Sequence, residues 1–242
     1  LITMIGRAPV STTPLAPDNP TDNGAMAAAE ILRDQGVQVS YVKTSTDAIA
    51  VAEPGMTLLL IRTDLIRDER LTALAETGAD LVLVEPSPSA LRILAPGVSS
   101  STWVSETTLE PNCSDPDANA AGPIVTGGST YTGGPNVTVC YSDESGHREE
   151  TRYIDDADHS NETDNPTETD HSNETGSPAE TGGLWAITTV NGQRIDIIGS
   201  GSPMTNDDLA EAGNAALVLR TLGRNPQLIW LVPTWDGETA EL

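Results

Sequence analysis

The sequence predicts an α/β fold, a three-layer sandwich built around a mainly parallel sheet, and three observations predict it. Continuous apolar runs of strand length at 56–61 (MTLLLI) and 79–84 (ADLVLV) read as strands covered on both faces. Segments of helical periodicity alternate with them, as parallel βαβ crossovers require. Residues 194–222 then carry a strand, a glycine-serine turn and a helical pattern in direct succession. That last unit organises the chain, because its turn lies at a strand's carboxyl end, where such sheets keep their ligand sites.

The whole of 1–242 reads as a single α/β domain. Residues 1–23 form a lead-in segment, and its stretch 12–23 (TTPLAPDNPTDN) carries three prolines among turn formers. Asp22 or Asn23 can cap a helix over 24–35, with Met26, Ile31 and Leu32 inward and Gly36 stopping it. Alternation marks 37–42 as a strand, and 46–52 is a short helix ending near Pro54-Gly55. The buried strand 56–61 follows. A second long helix covers 67–77 with Leu71, Leu74 and Ala75 inward, and the buried strand 79–84 ends at Glu85-Pro86. Ser87 or Ser89 caps a short helix through Ala95.

From 97 to 142 the periodicity is lost among glycines and prolines, with strand-like pieces only at 102–104, 124–126 and 137–141. This region is expected to be an irregular excursion from the sheet. Residues 143–182 form an acidic low-complexity loop, in which DHSNET occurs at 158–163 and again at 170–175. High charge with almost no apolar surface predicts disorder there. Its repeated Asp/His/Glu pattern, with His147, His159 and His171, reads as a solvated spacer in preference to a weak metal site. Asn136, Asn161 and Asn173 each begin an Asn-x-Ser/Thr triplet, meaningful only in a glycosylating exported setting. Next, 184–190 and 193–199 flank Asn191-Gly192, the strongest short hairpin signal. A helix is expected over 206–222 and a last strand over 226–232, and 233–242 is a loose tail.

Composition narrows the function. With 36 acidic against 12 basic residues and a net charge of −24, the chain lacks the basic face that nucleic acid demands. Thirteen of those acids lie in 143–182 beside two arginines, so the remainder is acidic too. No apolar run reaches the roughly 18–20 residues of a membrane span. Leu1 in place of a starting Met fits a domain cut from something longer, with a signal or membrane anchor removed. Cys113 and Cys140 are the two cysteines. Without a neighbouring His they make a poor zinc site. A disulfide across the intervening loop is the favoured reading, placing the domain outside the cytosol; two unpaired buried thiols are the alternative.

Candidate chemistry gathers at one sheet edge. The turn 199–206 (GSGSPMTN), with Ser200, Ser202 and Asn206, can offer converging amides to an anion at a helix N-terminus. A tight turn with Thr205 as cap and Asp208 as capping-box partner is the favoured reading. Asn214, placed mid-helix, either bonds a neighbouring loop's backbone or points into a cleft. Asp64 and Glu85 follow two buried strands, and Arg62 lies close by. If the strands are neighbours, this carboxylate pair can do acid–base work or hold a cation. The structural alternative has Asp64 capping the next helix and Glu85 paired with Arg62. No His falls in the predicted core and no GxSxG occurs, so no complete catalytic set, metal centre or cofactor site is expected.

Several segments together resemble a bacterial family, domain-of-unknown-function family 4350. They are 14–39 (PLAPDNPTDNGAMAAAEILRDQGVQV), 81–87 (LVLVEPS), the Cys113/Cys140 region with 120–128 (AAGPIVTGG), and 197–223 (IIGSGSPMTNDDLAEAGNAALVLRTLG). Only the acidic repeat stands apart. The resemblance implies a class I glutamine amidotransferase-like or flavodoxin-like α/β fold. It also implies an extracytoplasmic domain flanked by membrane helices absent from this sequence. Glu85-Pro86 would stand where a true amidotransferase keeps its nucleophilic cysteine, which argues against that activity. The expected function is therefore a non-catalytic extracytoplasmic sensing or scaffold domain of a membrane-anchored protein. It would bind a protein partner or small ligand at the edge marked by Arg62, Asp64, Glu85, Ser200, Ser202, Asn206 and Asn214. A carboxylate- or metal-dependent hydrolase of cell-envelope material, working through Asp64 and Glu85, is the alternative.

Overall fold

Helices and strands alternate through the first part of the chain close to where periodicity places them. The structure, a computed structural model, describes residues 11–143 and 182–235. The acidic repeat with its three histidines, Asn161 and Asn173, and the ends of the lead-in segment and tail lie outside those residues. In order come α1 (Met26–Asp34), β1 (Gln38–Val42), α2 (Ser45–Val51), β2 (Thr57–Leu60), α3 (Asp68–Glu76), β3 (Asp80–Val84) and α4 (Pro88–Leu94). Two caps follow from side chains: Thr44 accepts the Asp47 amide to start α2, and Ser87 accepts the Ala90 amide to start α4. Neither Asp22 nor Asn23 caps α1; its N-cap position is Ala25, with no side-chain bond of its own.

The second part holds β4 (Val98–Leu109), α5 (Pro116–Ala121), β5 (Ile124–Gly133), β6 (Thr138–Ser142), β7 (Gly183–Val190), β8 (Gln193–Ile198), α6 (Asn214–Leu222) and β9 (Gln227–Leu231). The expected irregular excursion at 97–142 is corrected here. β4 and β5 are long antiparallel partners, and they join the same sheet. Periodicity misses them because β4 is exposed on both sides along most of its length, so no apolar face shows in its sequence. Cys113 and Cys140 are disulfide-bonded, tying the segment before α5 to β6. The Asn191-Gly192 hairpin forms as expected, with both residues at positive φ.

The sheet order is β1-β9-β2-β3-β8-β7-β5-β4, with β6 also paired to β7. β1, β9, β2, β3 and β8 pair parallel, while β7 and β4 run against the rest. The last strand enters between the first two, so β1 and β2 are neighbours only through β9. Alternate residues of β2 feed two cores. Leu59 joins Val82, Ile198 and Trp230 with α1 and α6, while Leu58 and Leu60 join Leu81, Leu83 and Ile197 with α2, α3 and α4. Helices thus cover both faces of the parallel strands, which is why those strands read as unbroken apolar runs. No helix among the described residues is long and apolar enough to cross a membrane.

The expected long helix at 206–222 is also corrected: α6 begins only at Asn214. A single helical turn follows Thr205, whose hydroxyl accepts the Asp208 amide at 3.2 Å. The chain then breaks at Ala212, with φ +40, and Gly213. A Cβ on Gly213 would overlap the Ala121 carbonyl, and the Gly213 amide donates to Pro123 O at 2.8 Å. The break is imposed by close approach of the α5–β5 connection.

Candidate functional site at the carboxyl edge of the sheet

β2 pairs with β3 and β3 with β8, so the turns after these strands stand side by side at one edge. Arg62 and Glu85 each leave their strand in left-handed backbone, with φ +56 and +48. Non-glycine residues adopt that conformation rarely, at a cost of order 1 kcal/mol or more. Arg62 and Asp64 form a two-pronged pair (Nε to Oδ1 3.1 Å, Nη2 to Oδ2 3.2 Å) with both side chains 56% exposed. Such a pair is worth little on its own. Glu85 is not paired with Arg62 by any hydrogen bond. Its carboxylate accepts the Gly201 amide at 2.9 Å, which joins the turn after β3 to the turn after β8.

Around this contact lies a group of hydroxyls. Ser200 accepts the Ser202 amide at 3.1 Å, and the Ser202 hydroxyl is 3.2 Å from that of Thr126 on β5. Thr63 accepts the Ser87 amide at 2.8 Å, bridging the turns after β2 and β3. Burial raises the Tyr131 hydroxyl well above its usual range, and the nearby Glu85 charge adds to the rise. Thr63, Thr126 and Tyr131 escaped the sequence reading, because nothing in their local pattern separates them from ordinary strand and turn residues.

Asn206 and Asn214 are structural in their contacts. The Asn206 oxygen accepts the Ala27 amide at 2.8 Å, and its nitrogen donates to Asn19 O and Thr21 O at 2.9 and 2.6 Å. Asn214 has no exposed surface, and it both accepts from Val125 N and donates to Val125 O at 3.1 Å. It bonds a neighbouring backbone, one of its two expected roles. Arg62, Asp64, Glu85, Ser200 and Ser202 therefore share the edge, Asn206 holds the loop beside it, and Asn214 secures β5. Among the described residues, no group of three or more His, Cys, Asp or Glu is arranged to hold a metal ion.

A second polar cluster lies away from this edge. Arg194 grips Asp196 through Nε and Nη2 (3.0 Å each at the shortest) and reaches Asp115 at 2.9 Å. Arg224 bonds Asp196 and Asp117 at 2.9 and 3.0 Å, and the Trp185 indole donates to Asp196 at 3.2 Å. Burial alone would raise the Asp115 carboxyl, but the Ala118 amide, the Arg194 guanidinium and the Asp117 amide together hold it below its usual range. A charged residue inside the apolar run RIDIIG was the available sequence signal for this cluster.

Comparison with known proteins adds three findings. The family described as a domain of unknown function, DUF4350, matches residues 17–222. The chain is 29% identical over 223 residues to the uncharacterized membrane protein Rv3691 of Mycobacterium tuberculosis, a match covering 90% of this chain and 48% of that protein. The chain thus spans about half the length of the curated relative it matches. It is also similar to a solved structure, the mmIFT52 N-terminal domain, at 14% identity and a TM-score of 0.47, over 83% of this chain and 89% of that one. A likeness at that level carries no argument.

Proposed function

The chain belongs to the DUF4350 family, and from that premise we propose that it is a non-catalytic sensing or scaffold domain of a membrane-anchored protein. It acts on the extracytoplasmic face, binding a protein partner or small ligand at the carboxyl edge of β2, β3 and β8. The observation that carries this reading is the pair Arg62 and Glu85, both left-handed on adjacent strand ends. Among the described residues Leu15, Asn112, Tyr141, Asn191 and Ala212 are also at positive φ; Arg62 and Glu85 stand out because they end adjacent strands, and strained backbone recurs at binding and switch regions. The Cys113–Cys140 disulfide supports an oxidising compartment, and the membrane-protein relative supports anchoring. Helices on both faces of a parallel sheet fit the glutamine amidotransferase-like or flavodoxin-like sandwich that the family resemblance implies. If β3 corresponds to the strand that carries an amidotransferase's nucleophile, Glu85 stands in that place, and its carboxylate accepts the Gly201 amide.

The test is a thermal-shift series with divalent cations, nucleotides, saccharides and lipid headgroups, run beside Asp64→Ala and Glu85→Ala. A saturable rise in Tm that either substitution removes supports a small-ligand site at this edge. A flat response in every protein supports a protein partner. A rise that both variants retain moves the site elsewhere, and turnover of any probe, lost in the variants, overturns the non-catalytic reading in favour of the hydrolase.

A further inference from the structure

Tyr131 is 1% exposed, and among the described residues nothing hydrogen-bonds its hydroxyl. A polar group left unpaired in such a place is costly unless something outside the chain satisfies it. Tyr41 also carries an unpaired hydroxyl, but that one is sealed from solvent. Tyr131 lies two residues along β5 from Ser129, which is partly exposed and whose amide donates to Gly199 O at 3.0 Å. This bond sets β5 against the turn that follows β8. Glu85 borders the same turn: its amide donates to Ile198 O at 2.8 Å, and one carboxylate oxygen accepts the Gly201 amide. The other oxygen has no hydrogen-bond partner among the described residues. The Glu85 charge acts on the Tyr131 hydroxyl, yet no hydrogen bond joins the two.

We infer that Glu85 and Tyr131 form a binding site for a neutral saccharide, in which a sugar hydroxyl donates to the carboxylate and accepts from the tyrosine. This rests on the reading of the edge as a ligand-binding surface and names the class of ligand. The groups present select it. A carboxylate only accepts, and the unpaired tyrosine hydroxyl has a proton to give, so the ligand must both donate and accept. An alcohol does both, whereas an ammonium only donates and leaves the tyrosine proton unused. An anion is repelled by Glu85, and the guanidinium of Arg62 is already taken by Asp64. Ser200 packs against Gly128, next to Ser129. Two further hydroxyls therefore stand beside the pair, which favours a ligand with several hydroxyls over a simple alcohol.

Saturation-transfer NMR on the protein with glucose, mannose, N-acetylglucosamine and dextran tests this. The expected result is transfer to at least one of them, with affinity lowered about tenfold in Tyr131→Phe and in Glu85→Gln, the loss of one hydrogen bond in each. Dextran bound in preference to glucose supports the site with a polymer as its ligand. Because the Tyr131 hydroxyl has no partner in the described fold, Tyr131→Phe is expected to keep the Tm of the parent. A Tm several degrees lower shows that the hydroxyl is bonded within the protein and overturns the inference. So does the absence of transfer to every sugar, or binding that both folded variants retain. A cation that raises Tm through Glu85 while no sugar binds also overturns it, and leaves the role proposed for the edge standing.

Discussion

The side-chain oxygen of Asn206 accepts the Ala27 amide at 2.8 Å, across 179 residues of sequence. It supplies, from the turn after β8, the N-terminal bond that Ala25 cannot give to α1. Its nitrogen fastens the lead-in loop at Asn19 and Thr21. One side chain thus fixes the loop, the helix and the turn beside Gly201.

Asn206→Ala is expected to destabilise the protein by about 1–3 kcal/mol, the cost of leaving such groups unpaired. Urea denaturation measures it. Asn206→Asp keeps the acceptor but sets a carboxylate oxygen against the Asn19 and Thr21 carbonyls, so at neutral pH its loss is expected to be at least that of Asn206→Ala.

Glu85 separates strain from bonding. Glu85→Ala keeps the left-handed backbone and loses the bond to Gly201, whereas Glu85→Gly loses the bond and relieves the backbone. The glycine variant is expected to be the more stable of the two by about 1 kcal/mol. Equal stabilities would show that the turn relaxes on substitution.

Arg194→Met removes the guanidinium that links Asp196, with no exposed surface, to Asp115. Breaking one side of a buried charge group costs about 3–5 kcal/mol; the remaining Arg224 and Trp185 contacts to Asp196 place the expected loss near the lower end. A midpoint shift in urea unfolding, at unchanged slope, is the readout.

Asp115 gives the pH dependence. The folded state holds its carboxyl below the unfolded value, so its contribution is complete above about pH 3.9 and is lost as pH falls through the folded value. Asp115→Asn is expected to be less stable than the parent at neutral pH. The gap should close on acidification, followed by urea unfolding from neutral pH to pH 3; a gap that widens towards low pH contradicts the assignment.

Legibility followed burial. Residues 57–60 and 80–84 announce themselves because strands covered on both faces must be apolar throughout. Asn191-Gly192 announces its hairpin because few other residue pairs accept positive φ twice in succession. β4 stayed hidden because a strand exposed on both faces has no apolar pattern to read. The break before α6 stayed hidden because its cause is a carbonyl contributed by the α5–β5 connection.

By itself, then, the sequence determined the α/β class, most element positions and the gathering of Arg62, Asp64, Glu85, Ser200 and Ser202 near strand ends. These follow from local periodicity and turn chemistry, which act between residues a few positions apart. Only the tertiary structure decided that β9 lies between β1 and β2, that Glu85 bonds Gly201 instead of Arg62, and that Asn206 caps α1. Each is a contact between segments distant in the chain, and local periodicity and turn chemistry act only between near neighbours. No local pattern encodes that choice.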